Sequence, residues 1–177
     1  PMTTRNSNST TTNDWYLVFG SGPANSAGDA DASKLNAETS DQNGHLYVLD
    51  LKALATEGMI KSFNSTGALQ AGGASFCRTE VGSFVADPVA VDLDLGSSNA
   101  TAKFKTDVVY YGTTSGDQVN PRGTLRRLTT NNEMPVSGTV SWVGNSTLID
   151  MAKPLTTAPS LAVDDAKRLW VYFGTGR

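Results

Sequence analysis

The sequence predicts an all-β protein built from antiparallel sheets, and three observations predict it. The first is the stretch Asp87-Pro-Val-Ala-Val-Asp-Leu-Asp-Leu95, followed by Thr106-Asp-Val-Val-Tyr-Tyr-Gly112. Val89, Val91, Leu93 and Leu95 alternate with Pro88, Ala90, Asp92 and Asp94, the period of a half-buried strand. Val108-Val-Tyr-Tyr111 is a short apolar run stopped by Gly112, as expected of a strand covered on both faces. The second observation is that this pattern returns. Pro159-Ser-Leu-Ala-Val-Asp164 followed by Leu169-Trp-Val-Tyr-Phe-Gly-Thr175 has the same parts in the same order, and Trp15-Tyr-Leu-Val-Phe-Gly-Ser21 is the second half of one more copy. The third is a downstream frame, Gly-x-Leu-x-x-Leu. It occurs at Gly44-His-Leu-Tyr-Val-Leu49 after the Gly20 strand, and at Gly123-Thr-Leu-Arg-Arg-Leu128 after the Gly112 strand.

A recurring unit of about three strands is the signature of a propeller blade or a similar array. Gly20, Gly112 and Gly174 are unevenly spaced, so the loops between strands differ greatly in length. Repeats with irregular insertions keep their core and place the insertions on one face.

In chain order, residues 1–13 are a Ser/Thr/Asn tract without periodicity, read as a linker or a loose terminal strand. Residues 14–177 form the repeat-bearing domain. Strands are expected near 15–19, 45–51, 88–95, 107–112, 124–128, 160–164 and 168–174. Gly20-Ser-Gly-Pro23 breaks the first of these. Asn25 to Asn43 is a long polar loop carrying Asp29, Asp31, Glu38 and Asp41, of the kind that is usually functional or mobile. Leu51 to Gly58 can form a turn or two of helix, ended by Gly58. Residues 57–84 give no firm pattern beyond a short strand at Ile60–Phe63, and Ala71-Gly-Gly-Ala74 is too permissive for a regular element. The last unit has no Gly-x-Leu-x-x-Leu frame before Arg177, so its sheet is expected to be incomplete in this segment.

Composition narrows the function. A net charge of −3 argues against a broad nucleic-acid footprint. No apolar run is long enough to span a bilayer, so stable membrane insertion is not expected. The chain opens on Pro1-Met2 without a leader pattern, which reads as a fragment boundary. Abundant Ser, Thr, Asn and Gly suit long polar loops on an extracellular β protein. Cys77 is the only cysteine. It reads as a small buried hydrophobe, or as pairing with a cysteine elsewhere in a longer chain. His45 is the only histidine and alternates with Leu46 as a strand surface residue. A Ser/His/Asp or Cys/His nucleophile is therefore not expected. There is no P-loop and no Gly-rich dinucleotide turn.

Calcium is the one metal the residues suggest. It takes six to eight oxygens, which Asp-x-Asp-x-Asp-Gly loops present at alternate positions. Asp92 and Asp94 supply the first two, Gly96 stands at the third, and Asp107 can close the site beyond the Gly96–Phe104 insertion. The competing reading makes Asp92 and Asp94 solvated residues at a strand end. Asp164-Asp165 is a second acidic pair, but the following Ala166-Lys-Arg168 makes it read as a hairpin turn.

Taken together, Gly20-Ser-Gly-Pro23, Gly44-His-Leu-Tyr-Val-Leu-Asp50, Asp87-Pro-Val-Ala-Val-Asp-Leu-Asp94, Thr106-Asp-Val-Val-Tyr-Tyr-Gly112, Lys153-Pro-Leu-Thr-Thr-Ala-Pro-Ser160 and Leu169-Trp-Val-Tyr-Phe-Gly-Thr-Gly-Arg177 resemble the C-terminal β-propeller of the PilY-type proteins of type IV pili. The resemblance implies two to three blades of a quinoprotein-like propeller, incomplete in this segment and continued by the rest of its own propeller chain. It implies a tip adhesin and assembly factor that acts with minor pilins and meets a host or abiotic surface. Its place would be the extracellular pilus tip, the outer cell surface or the periplasm. Calcium on an Asp-rich loop would tune extension and retraction. A shared scaffold does not carry quinoprotein chemistry with it, and Trp15, Trp142 and Trp170 do not form a docking repeat. The expectation is therefore a binding module and not an enzyme. The alternative is a degenerate quinoprotein-like oxidoreductase or a glycan-active propeller with paired carboxylates.

Overall fold

The computed structural model describes residues 2–6, 14–22, 43–51, 55, 76–93, 106–117, 119–130 and 146–176. These are almost wholly β, with Leu51 and Ala55 helical. The strands are β1 (Met2–Asn6), β2 (Asp14–Gly20), β3 (Gly44–Asp50), β4 (Phe76–Glu80), β5 (Ser83–Val85), β6 (Val89–Val91), β7 (Val108–Gly116), β8 (Pro121–Thr129), β9 (Ser146–Met151), β10 (Ser160–Val163) and β11 (Leu169–Tyr172). All pairings are antiparallel.

Three sheets follow one another along the chain. The first is a four-stranded meander, β1-β2-β3-β4. The second runs β7-β8-β9, with β6 and β5 both paired to β7. The third is the β10-β11 hairpin. The register shows that these are copies of one unit. In the first, Gly20 lies opposite Leu46 and Leu17 opposite Leu49. In the second, Gly112 lies opposite Leu125 and Val109 opposite Leu128. The residue after the proline also repeats: Val89 lies opposite Tyr110, two before Gly112, and Ser160 opposite Tyr172, two before Gly174.

Tyr16, Val18, Leu46 and Val48 of the first sheet meet Val109, Tyr111 and Leu128 of the second, with Val85 between them, in one buried cluster. Each fully buried side chain of this kind contributes roughly 1.5–3 kcal/mol. Counted back from Gly20, positions four and two (Tyr16 and Val18) enter this cluster; counted back from Gly112, positions three and one (Val109 and Tyr111) do. The first strands of the three units are neighbours, β1 against β6 and β6 against β10.

Glycine is required where the chain crosses from one unit to the next. β5 runs over Gly20 and Gly44, where an added Cβ would stand 2.8 Å from the Val85 carbonyl carbon and 2.5 Å from the Ser83 carbonyl oxygen. The segment before the third unit does the same at Gly112 and Gly123, where an added Cβ would stand 3.0 Å from Leu155 Cβ and 2.8 Å from Leu155 N. Thr114 ties that crossing down: its hydroxyl donates to the Leu155 carbonyl at 3.0 Å and accepts from Leu155 N–H at 3.1 Å.

Several expectations change. The 88–95 strand stops at Val91, because Asp107 captures the backbone on either side of Asp92 and closes the hairpin there. Gly112 does not end its strand; β7 continues to Gly116 with Tyr111 through Thr114 buried, since Leu155 covers the bare glycine. Part of the 1–13 stretch read as a linker or loose terminal strand is β1, held by the Met2–Val18 to Asn6–Asp14 ladder. Within the uncertain 57–84 region lie β4 and β5, separated by a turn in which Gly82 has φ 56° and donates to Asn43 Oδ1 at 3.0 Å. Ile60–Phe63 and Ala71–Ala74 lie outside the described residues, as do most of the Asn25–Asn43 and Leu51–Gly58 stretches.

Candidate functional site

Two of the acidic residues singled out in the sequence, Asp92 and Asp107, lie at the end of the β6–β7 hairpin. Asp92 follows β6 directly and Asp107 precedes β7. The Asp107 N–H donates to the Val91 carbonyl at 3.0 Å, and Asp107 Oδ2 accepts the Leu93 N–H at 2.6 Å. The Asp107 carbonyl in turn accepts from Thr130 N–H at 2.9 Å and from the Thr130 hydroxyl at 3.2 Å; that hydroxyl also bonds the Thr106 carbonyl. Asp107 is therefore a backbone clasp joining β6, β7 and the end of β8. Asp94, the middle member of the expected calcium set, lies outside the described residues together with 95–105.

Calcium needs six to eight oxygens. Asp92 and Asp107 bring two carboxylates to one hairpin end, and one Asp107 oxygen is already engaged. No group of three or more His, Cys, Asp or Glu side chains gathers among the described residues. The two carboxylates of the described part fall short of a calcium cage on their own.

Asp164, the second acidic candidate, sits in a closed turn. Its N–H donates to the Arg168 carbonyl at 3.0 Å and its carbonyl accepts from Lys167 N–H at 2.8 Å, with Lys167 at φ 60°. Its carboxylate accepts the Arg168 N–H at 2.9 Å, Arg168 Nε at 2.7 Å and Trp170 Nε1 at 2.9 Å. The Trp170 indole, ahead of the Arg168 backbone N–H, holds the Asp164 carboxyl below the usual aspartate value. The arrangement fixes Trp170, over which the Arg168 guanidinium lies at 5.7 Å.

Sequence reasoning missed a charged group placed in the interior. Glu80, at the end of β4, is buried. Its Oε1 accepts the Tyr111 hydroxyl at 2.7 Å and its Oε2 pairs with Arg126 at 3.0 Å. The signal available was weak: a lone Glu after a strand in a stretch with no clear period. His45 is half-buried on β3, its ring 5.6 Å from Tyr47, which stacks on Phe19 at 5.0 Å. Burial pushes its imidazole below the ordinary value. Cys77 lies on β4 opposite Tyr47, and His45 lies opposite Thr79. A shallow depression between the β7–β8 turn and the segment after β9 is lined by Asn120, Arg122, Asp150 and Lys153, with Arg122 paired to Asp150 at 3.1 Å.

These features define a class: an all-β protein of repeated antiparallel units whose buried polar groups join strands to one another. No family model, curated protein or solved structure matches the chain.

Proposed function

We propose that this chain is part of a β-propeller that serves as a binding and assembly module of a type IV pilus tip, of the PilY type. The observation that carries the reading is the repeated register, with Gly20 opposite Leu46 and Gly112 opposite Leu125. It supports blade-like units in the order in which the family motifs run. The neighbouring first strands β1, β6 and β10 support the same reading, because blades arranged about an axis bring their first strands together. Among the described residues, β4, β9 and β11 each pair on one side only. Open edges seek partners, and further blades of the propeller would supply them.

The module works by presenting surfaces to minor pilins and to a host or abiotic ligand at the cell exterior. Catalysis plays no part in the reading. Calcium, implied by the resemblance, would lie at the Asp92–Asp107 hairpin end with Asp94, where it would order the loop between two strands.

The test is binding to minor pilins and to surfaces, with turnover assayed in parallel. Saturable binding to isolated minor pilins without turnover of alcohols or glycans is the expected result. Turnover of either substrate class, or no binding to any pilin or surface, overturns the reading.

A further inference from the structure

We infer that β11 pairs edge to edge with β11 of a second copy of this chain, antiparallel about a two-fold axis at Val171. The inference rests on the chemistry of this strand and not on the pilus reading.

Edge strands are commonly blunted by charge, proline or a bulge. The three strands with an open side differ in this respect. β4 carries Arg78 and Glu80. β9 carries Asp150, and its pairing with β8 skips Leu148 as a bulge. β11 has none of these devices. Leu169-Trp-Val-Tyr172 and the Phe173-Gly-Thr-Gly176 that follows hold neither charge nor proline, and the ladder to β10 is unbroken. The space beside the strand is clear, since a β-carbon added at Gly174 would meet nothing within 4 Å.

The strand also presents the side chains that such pairing uses. Trp170 and Tyr172, four and two residues before Gly174, are 47% and 56% exposed. Tyr16 and Val18, at the same distances before Gly20, are buried, as are Val108 and Tyr110 before Gly112. On β10 the residues opposite are small, Ala162 for Trp170 and Ser160 for Tyr172, so β10 supplies no ring to either. Trp170 is already held by its Nε1 bond to Asp164 at 2.9 Å, which lowers the ordering cost of a contact made there.

Hydrogen-bond phase fixes the register. The Asp164 N–H donates to the Arg168 carbonyl, and the pairs of the hairpin alternate from there. Trp170 and Tyr172 therefore turn their backbone groups to β10, while Leu169 and Val171 turn theirs to the open side. Val171 meets the partner's Val171 as a hydrogen-bonded pair. Trp170 then lies opposite the partner's Tyr172, and Tyr172 opposite the partner's Trp170, in non-hydrogen-bonded pairs, where side chains approach most closely. Aromatic cross-strand pairs of this kind are among the favourable ones. An axis at Trp170 would set Tyr172 against the partner's Arg168, and an axis at Tyr172 would set Trp170 against the partner's Gly174. The Val171 axis is the one that gives both aromatic residues an aromatic partner. Four half-exposed rings offer roughly 400 Å², below the roughly 1,200 Å² of a standard interface, so the pair is weak and reversible.

The test is sedimentation equilibrium of the full chain up to millimolar concentration. A monomer–dimer equilibrium with a dissociation constant on the order of 100 µM is expected for a contact of this size. Tyr172→Glu sets a carboxylate opposite the partner's Trp170 and should weaken it by at least about tenfold, with the thermal midpoint of the dilute protein unchanged. Tyr172→Thr, a strand former without the ring, takes its place if that variant does not fold. Leu148→Glu, on the β9 edge, should leave the dimer as it is. In a mixture of labelled and unlabelled chains, intermolecular nuclear Overhauser contacts should join the Trp170 and Tyr172 rings. A chain that is monomeric at every concentration overturns the inference. So does a dimer indifferent to the Tyr172 variants, a dimer lost in Leu148→Glu, or intermolecular contacts made by β4 or β9 in place of β11.

Discussion

The backbone of Gly20 passes directly beneath that of Val85, so that a β-carbon on Gly20 would stand 2.8 Å from the Val85 carbonyl carbon. No side-chain rotation can relieve this, because the obstacle is main chain. Gly112, the equivalent residue of the second unit, meets Leu155 at 3.0 Å; Gly174, the equivalent of the third, has open space. One sequence landmark therefore has three different structural loads.

Alanine substitution at these three positions should follow that order. Gly20→Ala forces β5 off the first sheet and should cost about 3 kcal/mol. Gly112→Ala should cost less, about 1–2 kcal/mol, since the nearest Leu155 atoms stand at 3.0 and 3.1 Å and need shift only by a few tenths of an ångström. Gly174→Ala should fall within about 0.5 kcal/mol of wild type. Urea unfolding of the three variants checks the ranking. Equal losses at all three would mean that the crossings do not run over the glycines.

The β10–β11 turn offers a change in the opposite direction. Lys167 occupies a left-handed conformation, at φ 60°, which costs a residue with a β-carbon roughly 1 kcal/mol relative to glycine. Lys167→Gly should therefore stabilise the protein by up to about 1 kcal/mol. Asp164→Ala should act the other way, by freeing Trp170 and opening the turn. The Trp170 indole N–H resonance reports on both, and should lose its dispersion only in the Asp164 variant.

Much of this architecture was legible in the sequence, because the repeat has a cause that sequence can carry. Gly20, Gly112, Gly44 and Gly123 lie where chain crosses chain, and Leu46, Leu49, Leu125 and Leu128 lie opposite fixed positions of the preceding strand. Periodicity exposes such constraints. It does not expose β1, a short polar segment held by its neighbour β2, or β4 and β5, whose short mixed segments pair with strands about thirty residues away. The candidate site was legible only in part. Asp107 was read for its charge, whereas the structure uses its carboxylate and both its backbone groups to close a hairpin. Glu80 was invisible, because its partners Tyr111 and Arg126 lie in another sheet.

Stability should fall on mild acidification through His45. Burial holds its imidazole below the ordinary value, so as the pH drops the unfolded chain takes up the proton first. The loss should begin near the ordinary histidine value of about 6.5 and level off below the depressed folded one. His45→Gln should flatten this limb. Asp164 acts in a lower window: with its folded value depressed by Trp170 and Arg168, its contribution is whole above about 3.9 and is lost as the pH falls through the folded value. Denaturation midpoints between pH 8 and pH 3 for wild type, His45→Gln and Asp164→Asn separate the two limbs. A wild-type curve that is flat from pH 8 to pH 5 removes the His45 assignment.

Asp107 separates clasp from metal ligand. As a clasp, it needs one acceptor oxygen for the Leu93 N–H at 2.6 Å, and an asparagine supplies one. Asp107→Asn should then be close to wild type without calcium, whereas Asp107→Ala should cost about 1–2 kcal/mol. As a ligand, it needs its charge. A site at one hundred times its dissociation constant stabilises by about 2.7 kcal/mol, which at this chain length raises the midpoint by roughly 5–10 °C. That rise should appear in wild type and vanish in Asp107→Asn, in Asp92→Asn and in Asp94→Asn. The asparagine variants keep the hairpin closed, so loss of the calcium response cannot be confused with loss of the fold. A wild-type midpoint that does not move with calcium leaves Asp107 as a clasp alone, with Asp92 and Asp94 as solvated residues beyond the strand end.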